Sequence, residues 1–387
     1  MDNESGRPLA GLPLCHYDSA AMGAAVITRM TSTTSRTGTI VAACTGGGSV
    51  RLETRPVPQP GPGEIRLRLR QAGLCGTDLY KLSHGTAAPG TVLGHEVVGT
   101  VEVVGQGVAE SGIAPGDRVV VPHHVACGEC TLCRRGSETL CPVFRESLLT
   151  PGGFSEHILV GARAVRLATF VLPEHLSDEA AVFLEPAACV LRGIRHSRLP
   201  EIAELAAADE SPAVAVLGAG SMGLLHLLVL KALFPSVRVA VVDPLEDRRN
   251  LALHLGADAA AAPGQAMDQA QDVVFDTVGG PGPLEAALTL SREGGTAVLF
   301  AHSSEGSGGR AAFDLNRFFK SERKLVATYS GSLAEQREIW HLLVEHRLDP
   351  RPLITHHLPL SRCAEAVDLA RQRQALKVLL APDPEPA

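Results

Sequence analysis

Four cysteines, Cys127, Cys130, Cys133 and Cys141, stand in the run CGECTLCRRGSETLC. The C-x2-C-x2-C-x7-C spacing lets one loop wrap four thiolates around a single tetrahedral zinc, the pattern of a closed structural site. Upstream, AGLCGTDLYKLSHG and VLGHEVVG supply Cys75, His84, His95 and Glu96, and LEPAAC supplies Glu185. One thiolate, one imidazole and one carboxylate leave a coordination position open, so such a set can hold a zinc that polarises the oxygen of an alcohol or carbonyl. Downstream, PAVAVLGAGSMGLLHLLVLKA holds Gly218-x-Gly220-x-x-Gly223 directly after an apolar run and directly before a helical pattern. That context turns a weak glycine motif into a dinucleotide-binding fingerprint.

These residues need elements to position them. From Thr39 the chain runs through short β-like segments, TIVAAC, SVRLETRPV, EIRLRLRQAG, VVGTVEVVG and DRVVVP, broken by PQPGPGE and APGD. Closely spaced strands with Gly and Pro between them predict a small β-barrel-like domain. Around Asp178 the texture changes to alternating strand-like and helix-like segments, which predicts a doubly wound parallel sheet and an α/β chain. Strands are expected at 213–218, 237–243, 272–277, 296–301 and 324–329, and helices near 221–234, 245–255 and 281–292. The closing LITHHLPLSRCAEAVDLARQRQALKVLL reads as strand, amphipathic helix and strand, returning to the first domain. No repeat at the 20–50 residue scale is evident.

Within the fingerprint, Gly218 allows a tight turn, Gly220 lets the backbone approach a pyrophosphate, and Gly223 permits close helix–strand packing. Ser221 and Met222 open the helix, whose free N–H groups suit phosphate. Asp243 ends the next strand, where a carboxylate accepts from a ribose diol; this favours NAD over NADP. Arg248 and Arg249 lie close enough in sequence to bear on a 2′-phosphate, but a solvated helix face is their plainer reading.

Composition limits the partners. The chain has 387 residues, 45% hydrophobic and 20% charged, with a net charge of −7 and pI ≈ 6.1. This describes a globular chain of two domains without a basic footprint, so nucleic acid and anionic membrane surfaces are not its partners, and a small molecule is. No apolar run approaches the ~18 residues of a membrane span. Nine cysteines with clustered spacing point to metal binding in a reducing compartment, and the acidic start MDNESGRP lacks a secretory pattern, so a cytoplasmic location is expected. Residues 1–36 show no periodicity and read as a loose extension or as an upstream start, with Met22 and Met30 available. Cys15, Cys44, Cys189 and Cys363 have no motif partners and read as buried thiols without function.

Jointly, Cys75-Gly76-Thr77-Asp78, Gly94-His95-Glu96, the four-cysteine loop, Gly153-Phe154, Glu185-Pro186, the glycine fingerprint and the LITH…PL ending carry a resemblance. Over residues 37–387 the chain resembles the zinc-dependent medium-chain dehydrogenases/reductases, and their polyol (sorbitol-type) branch more than the simple alcohol dehydrogenases. The resemblance implies a GroES-like β-barrel catalytic domain (37–186), a Rossmann NAD-binding domain (187–329) and a C-terminal return (330–387). It implies two zinc ions per chain. Cys75 and His95 look like catalytic zinc ligands, Glu185 stands where simple alcohol dehydrogenases have a second cysteine, and Glu96 is the other carboxylate of the shell. Thr77 looks like the hydroxyl that receives the substrate proton, and Asp78 like a group orienting His95 or closing a turn.

Many relatives have a histidine five residues after the ligand cysteine, whereas this chain has Tyr80, which relays the proton or packs while water or His84 carries it. The implied reaction is hydride transfer between a secondary alcohol of polyol, sugar or cyclitol type and NAD, in either direction, by a homodimer or homotetramer. Threonine-type amino alcohols and simple alcohols are the rival substrates. A non-catalytic nucleotide-binding zinc protein is the rival class, and retention of Cys75, Thr77, His95 and Glu185 speaks against it.

Overall fold

The computed structural model describes residues 38–384 apart from 208–209, 266–269, 304–308 and 313. The expected extension 1–36, with Cys15, lies outside the described residues.

The first sheet is built on alternation. In Ile65–Gly73, Ile65, Leu67 and Leu69 are buried while Arg66, Arg68 and Arg70 face outward, the period-2 pattern of a half-buried strand. It pairs antiparallel with Glu96–Val104 and His157–Val160, and Glu96–Val104 pairs in turn with Arg118–Pro122. On the other side comes the chain's end: Lys377–Ala381 lies antiparallel to Ile65–Gly73 and carries Ile354–Pro359 alongside it in parallel. The predicted strand–helix–strand return therefore joins the first sheet, with its helix at Cys363–Arg371. A separate hairpin, Thr39–Cys44 with Val50–Arg55, precedes these strands.

The second sheet has six parallel strands in the order Ala259–Ala261, Arg238–Val242, Ala213–Leu217, Gln271–Asp276, Ser291–Leu299, Lys324–Ala327. Every residue of Ala213–Leu217 is buried, as a strand covered on both faces requires. Val214, Val216, Val273 and Phe275 pack with the helices Leu184–His196 and Ser221–Leu233, while Ala215, Leu217 and Val274 pack with Ala287 on the opposite face. Connections leave Ala213–Leu217 towards one edge and Gln271–Asp276 towards the other, so a switch point opens between them at Gly218.

Two boundaries differ from expectation. The helix at Pro281 stops at Leu290, and the following strand begins at Ser291, five residues before the predicted start at 296. The segment Ser291–Gly295 pairs through a register irregularity, and Gly294, at φ +71°, gives the strand the bend that brings Thr296 into line with Val273. The short strand Ala259–Ala261 was not expected: three alanines carry no strand signal, and only the neighbouring Arg238–Val242 makes them one.

Gly223 is held by a steric constraint. A Cβ there would stand 1.8 Å from the carbonyl oxygen of Gly218, whereas one at Gly220 would meet nothing within 4 Å. Gly223→Ala is expected to cost at least ~2 kcal/mol of overpacking, a fall in Tm of at least ~3 °C. Gly220→Ala should stay within about 2 °C of the parent. Differential scanning calorimetry of both variants checks this, and equal melting temperatures would contradict it.

Candidate active site and metal centres

The strand Ile65–Gly73 ends against Cys75, which caps the helix Gly76–Ser83. Asp78 in its first turn is fully buried. Its Oδ2 accepts from the backbone N–H of Cys75 at 3.1 Å, and its Oδ1 accepts from that of Gly94 at 3.2 Å and lies 3.3 Å from His95 Nδ1. One carboxylate therefore closes the turn at Cys75 and orients the imidazole. Burial would raise the pKa of Asp78, but His95 and the two backbone donors hold it below the usual carboxylate range. Gly94 sits at φ +85°, and a Cβ on it would meet the Phe154 ring at 2.5 Å, so the residue before His95 has to be glycine.

The Cys75 thiol, the His95 imidazole and the Glu96 carboxylate lie within 4.8 Å of one another. Glu96 is also ion-paired: Lys377 Nζ reaches its two oxygens at 2.8 and 2.7 Å, with both residues almost wholly buried. Glu185, in the first turn of Leu184–His196, stands outside that 4.8 Å group, and its Oε1 accepts from the Cys189 thiol at 3.4 Å. Burial, with Glu96 adding to it, raises the pKa of Glu185. A soft thiolate, an imidazole and buried carboxylates are a donor set that fits a divalent zinc.

The second metal group is more compact. Among the thiols of Cys127, Cys130, Cys133 and Cys141, sulfur–sulfur distances are 3.9, 3.5 and 3.5 Å. Four sulfurs about 2.3 Å from one zinc would be spaced about 3.8 Å apart. Backbone N–H groups of Cys127 and Cys130 point at thiols at 3.4 Å, and Ala126 and Phe144 pack beneath the loop.

Thr77 is half-buried in the first turn of Gly76–Ser83, and Tyr80 follows one turn later. The Tyr80 ring is stacked between His84, at 4.2 Å, and His302, at 4.6 Å.

Across the second sheet, Gly218 turns at φ +96° and Gly220 caps Ser221–Leu233. Ser221 Oγ has no hydrogen-bond partner among the described residues, and the Met222 carbonyl accepts from His226 Nδ1 at 2.7 Å. Asp243 accepts from the backbone N–H of Ala219 at 2.7 Å and from that of Leu245 at 2.9 Å, so it braces the glycine loop. Arg248 donates to the carbonyls of Arg373 and Ala375, and Arg249 to those of Asp243 and Pro244. A cavity of about 510 Å³ lies beside Gly218, lined by Leu217, Val242, Pro244, Pro283, Ala286 and Leu290.

Sequence reasoning missed Lys377 and Cys189. A lysine inside the apolar run ALKVLL was the available signal, since a buried charge needs a partner. Cys189, read as a buried thiol without function, is half-buried and hydrogen-bonded to Glu185.

Comparison with known proteins agrees with this geometry. Residues 61–169 match the alcohol dehydrogenase GroES-like domain and residues 221–345 the zinc-binding dehydrogenase domain. The chain is 31% identical over 346 residues to L-threonine 3-dehydrogenase of Pyrococcus furiosus, covering 84% of this chain and 92% of that protein. It is 26% identical over 362 residues to sorbitol dehydrogenase of Gallus gallus, covering 87% and 94%. The crystal structure of the alcohol dehydrogenase RspB from Escherichia coli CFT073, complexed with NADH, superposes with a TM-score of 0.75 at 26% identity, covering 89% of this chain and 99% of that one. The chain belongs to the zinc-dependent medium-chain alcohol dehydrogenase family. It is a zinc-dependent NAD(P) alcohol dehydrogenase acting on CH–OH donors, with a four-cysteine structural site and a catalytic Cys/His/Glu group.

Removing Lys377 would leave Glu96 buried and unpaired. Lys377→Met is expected to cost about 3–5 kcal/mol, and adding Glu96→Gln should restore at least ~1–2 kcal/mol by removing the stranded charge. Urea unfolding at fixed zinc concentration measures both. A double variant no more stable than the single one would contradict the pairing.

Proposed function

We propose that this enzyme oxidises a secondary alcohol of polyol, sugar or cyclitol type with NAD, or reduces the corresponding ketone. The observation that carries the reading is the convergence of Cys75, His95 and Glu96 within 4.8 Å, with Glu185 half-buried close by. Cys75, His95 and Glu185, with Glu96 as the exchangeable carboxylate, would hold the catalytic zinc, and the Cys127 loop the structural one. When bound, zinc supplies Lewis acidity towards the carbinol oxygen, and NAD supplies the hydride acceptor.

The chain's own groups do the rest. Asp78 fixes the ring of His95, and Lys377 pairs with both oxygens of Glu96. The Thr77 hydroxyl takes the carbinol proton, and Tyr80, on the same helix face one turn away, relays it to solvent, or packs on His84 while water or the exposed His84 carries it. Gly218, Gly220 and Gly223 would let the backbone approach a pyrophosphate, to which the N–H groups of Ser221 and Met222 would donate. The apolar cavity beside Gly218 suits an adenine. Asp243 would accept from the ribose with its remaining lone pairs and repel a 2′-phosphate. Arg248 and Arg249 already donate to carbonyls, which favours NAD over NADP.

An initial-rate screen of zinc-replete protein against polyols, cyclitols, amino alcohols and simple alcohols, with NAD and NADP separately, tests the assignment. The expected result is NADH formation on a polyol with kcat/KM at least ~10-fold above both the NADP reaction and simple alcohols. A preference for amino alcohols would overturn the substrate class. Cys75→Ser should reduce metal content from two zinc ions to one and abolish turnover.

A homodimer is part of the proposal. Lys324–Ala327 is an edge strand, and Leu315, Phe319 and Leu325 beside it are 73%, 79% and 37% exposed, apolar surface that a second copy would cover. Sedimentation should give the mass of a dimer or a multiple of it, and Leu325→Asp should shift it towards the monomer.

A further inference from the structure

Two runs of contact lead away from the Cys75–His95 group and meet at one residue. On one side the His95 ring lies 4.5 Å from that of His123, His123 lies 3.6 Å from His124, and His124 lies 5.3 Å from Phe144, centroid to centroid. The next residue is Arg145. On the other side Glu185 is bonded to Cys189, and Gly331 packs so closely on the same helix that a Cβ on it would meet Cys189 N at 3.0 Å. Two residues before Gly331 stands Tyr329, and the Arg145 guanidinium lies over its ring at 5.6 Å from the centroid.

Arg145 therefore stands where the two runs meet, exposed and open to a ligand. Among the described residues it has no carboxylate partner, and the adjacent Glu146 pairs with Arg163 at 3.1 Å. Lys81 likewise has no ion pair among the described residues. A cation–π contact uses the charge of a guanidinium but none of its five N–H donors, and restricts where that fork can point. Such a fork matches two oxygens of a carboxylate or a phosphate.

We propose that Arg145, steadied by Tyr329, is a subsite for a negatively charged group on the alcohol substrate, a carboxylate or phosphate ester on the same carbon skeleton as the carbinol. The preferred substrate is then an acid-bearing member of the polyol and sugar class, a sugar-derived hydroxy acid or a polyol phosphate. The inference rests on the alcohol dehydrogenase reading above and narrows its substrate class.

The test is isothermal titration of zinc-replete, NADH-loaded enzyme at low salt with matched ligands. Lactate, glycerate and gluconate form the carboxylate arm, glycerol phosphate and glucitol phosphate the phosphate arm, and propylene glycol, glycerol and glucitol the neutral arm. At least one anionic arm is expected to bind about 10-fold or more tighter than its neutral counterpart, and the arm that does so identifies the group. Arg145→Gln should bring that ratio close to one, and Arg145→Lys, which keeps the charge without the fork, should retain part of it. Equal affinities for neutral and anionic members, including no binding by any, overturn the inference, as does a ratio unchanged in Arg145→Gln. Turnover of the same ligands with NAD is read separately. Anion-selective binding without oxidation of any alcohol leaves this subsite standing and sinks the proposed reaction.

Discussion

The buried ion pair between Glu96 and Lys377 is the constraint around which the site is assembled. Its partners are 281 residues apart and come from strands that do not pair with each other, since Ile65–Gly73 runs between them. Taking either charge out of water alone would cost several kcal/mol, so neither strand can settle without the other. Closing the pair draws the C-terminal return onto the first sheet. It also fixes the start of Glu96–Val104, and with it the peptide that carries His95. The Lys377 ammonium also lies 3.5 Å from the Leu74 carbonyl, next to Cys75, so the same contact positions both ends of the metal group.

Asp78 and Asp243 repeat the device at smaller scale. Each is a buried carboxylate that uses both oxygens on backbone N–H groups of the loop it serves. Asp78 binds Cys75 and Gly94, and Asp243 binds Ala219 and Leu245. Loops rich in glycine lose much conformational freedom on folding, and a charge-assisted hydrogen bond at each end offsets part of that loss. The geometry of both the metal group and the nucleotide loop is thereby set before any ligand arrives.

What the sequence made legible was whatever chemistry is local. The four-cysteine loop and Gly218–Gly223 each lie within about one loop of chain, and spacing alone defines what they can do. Both sheets were readable because Ile65–Leu69 alternates and Ala213–Leu217 does not, the signatures of one-sided and two-sided burial. Lys377 on Glu96, Cys189 on Glu185 and Arg145 on Tyr329 were not readable, for reasons that differ. The first and last join residues nearly two hundred positions apart or more, and one chain carries no signal of such pairings. The second spans one helical turn, but a lone cysteine reads as packing. The start of the strand at Ser291 was hidden because Gly294 and Gly295 look like a loop until a neighbouring strand recruits them.

Charge in the catalytic region gives the strongest physical argument for a metal. Cys75, Asp78, Glu96 and Glu185 all carry acidic side chains, while Lys377 is the one lysine or arginine hydrogen-bonded to any of them among the described residues. Burial already pushes the Glu185 carboxyl up, with Glu96 working in the same direction and His95 against it. Burial would lower the pKa of His95, but Asp78 and Cys75 push it well up, so the imidazole and Lys377 are the two cationic groups that face these acids. Protonation would leave the oxygens of Glu185 weak donors. A dication would satisfy thiolate, imidazole and carboxylate together, so this cluster of acidic donors is a physical reason for a zinc ion to bind there.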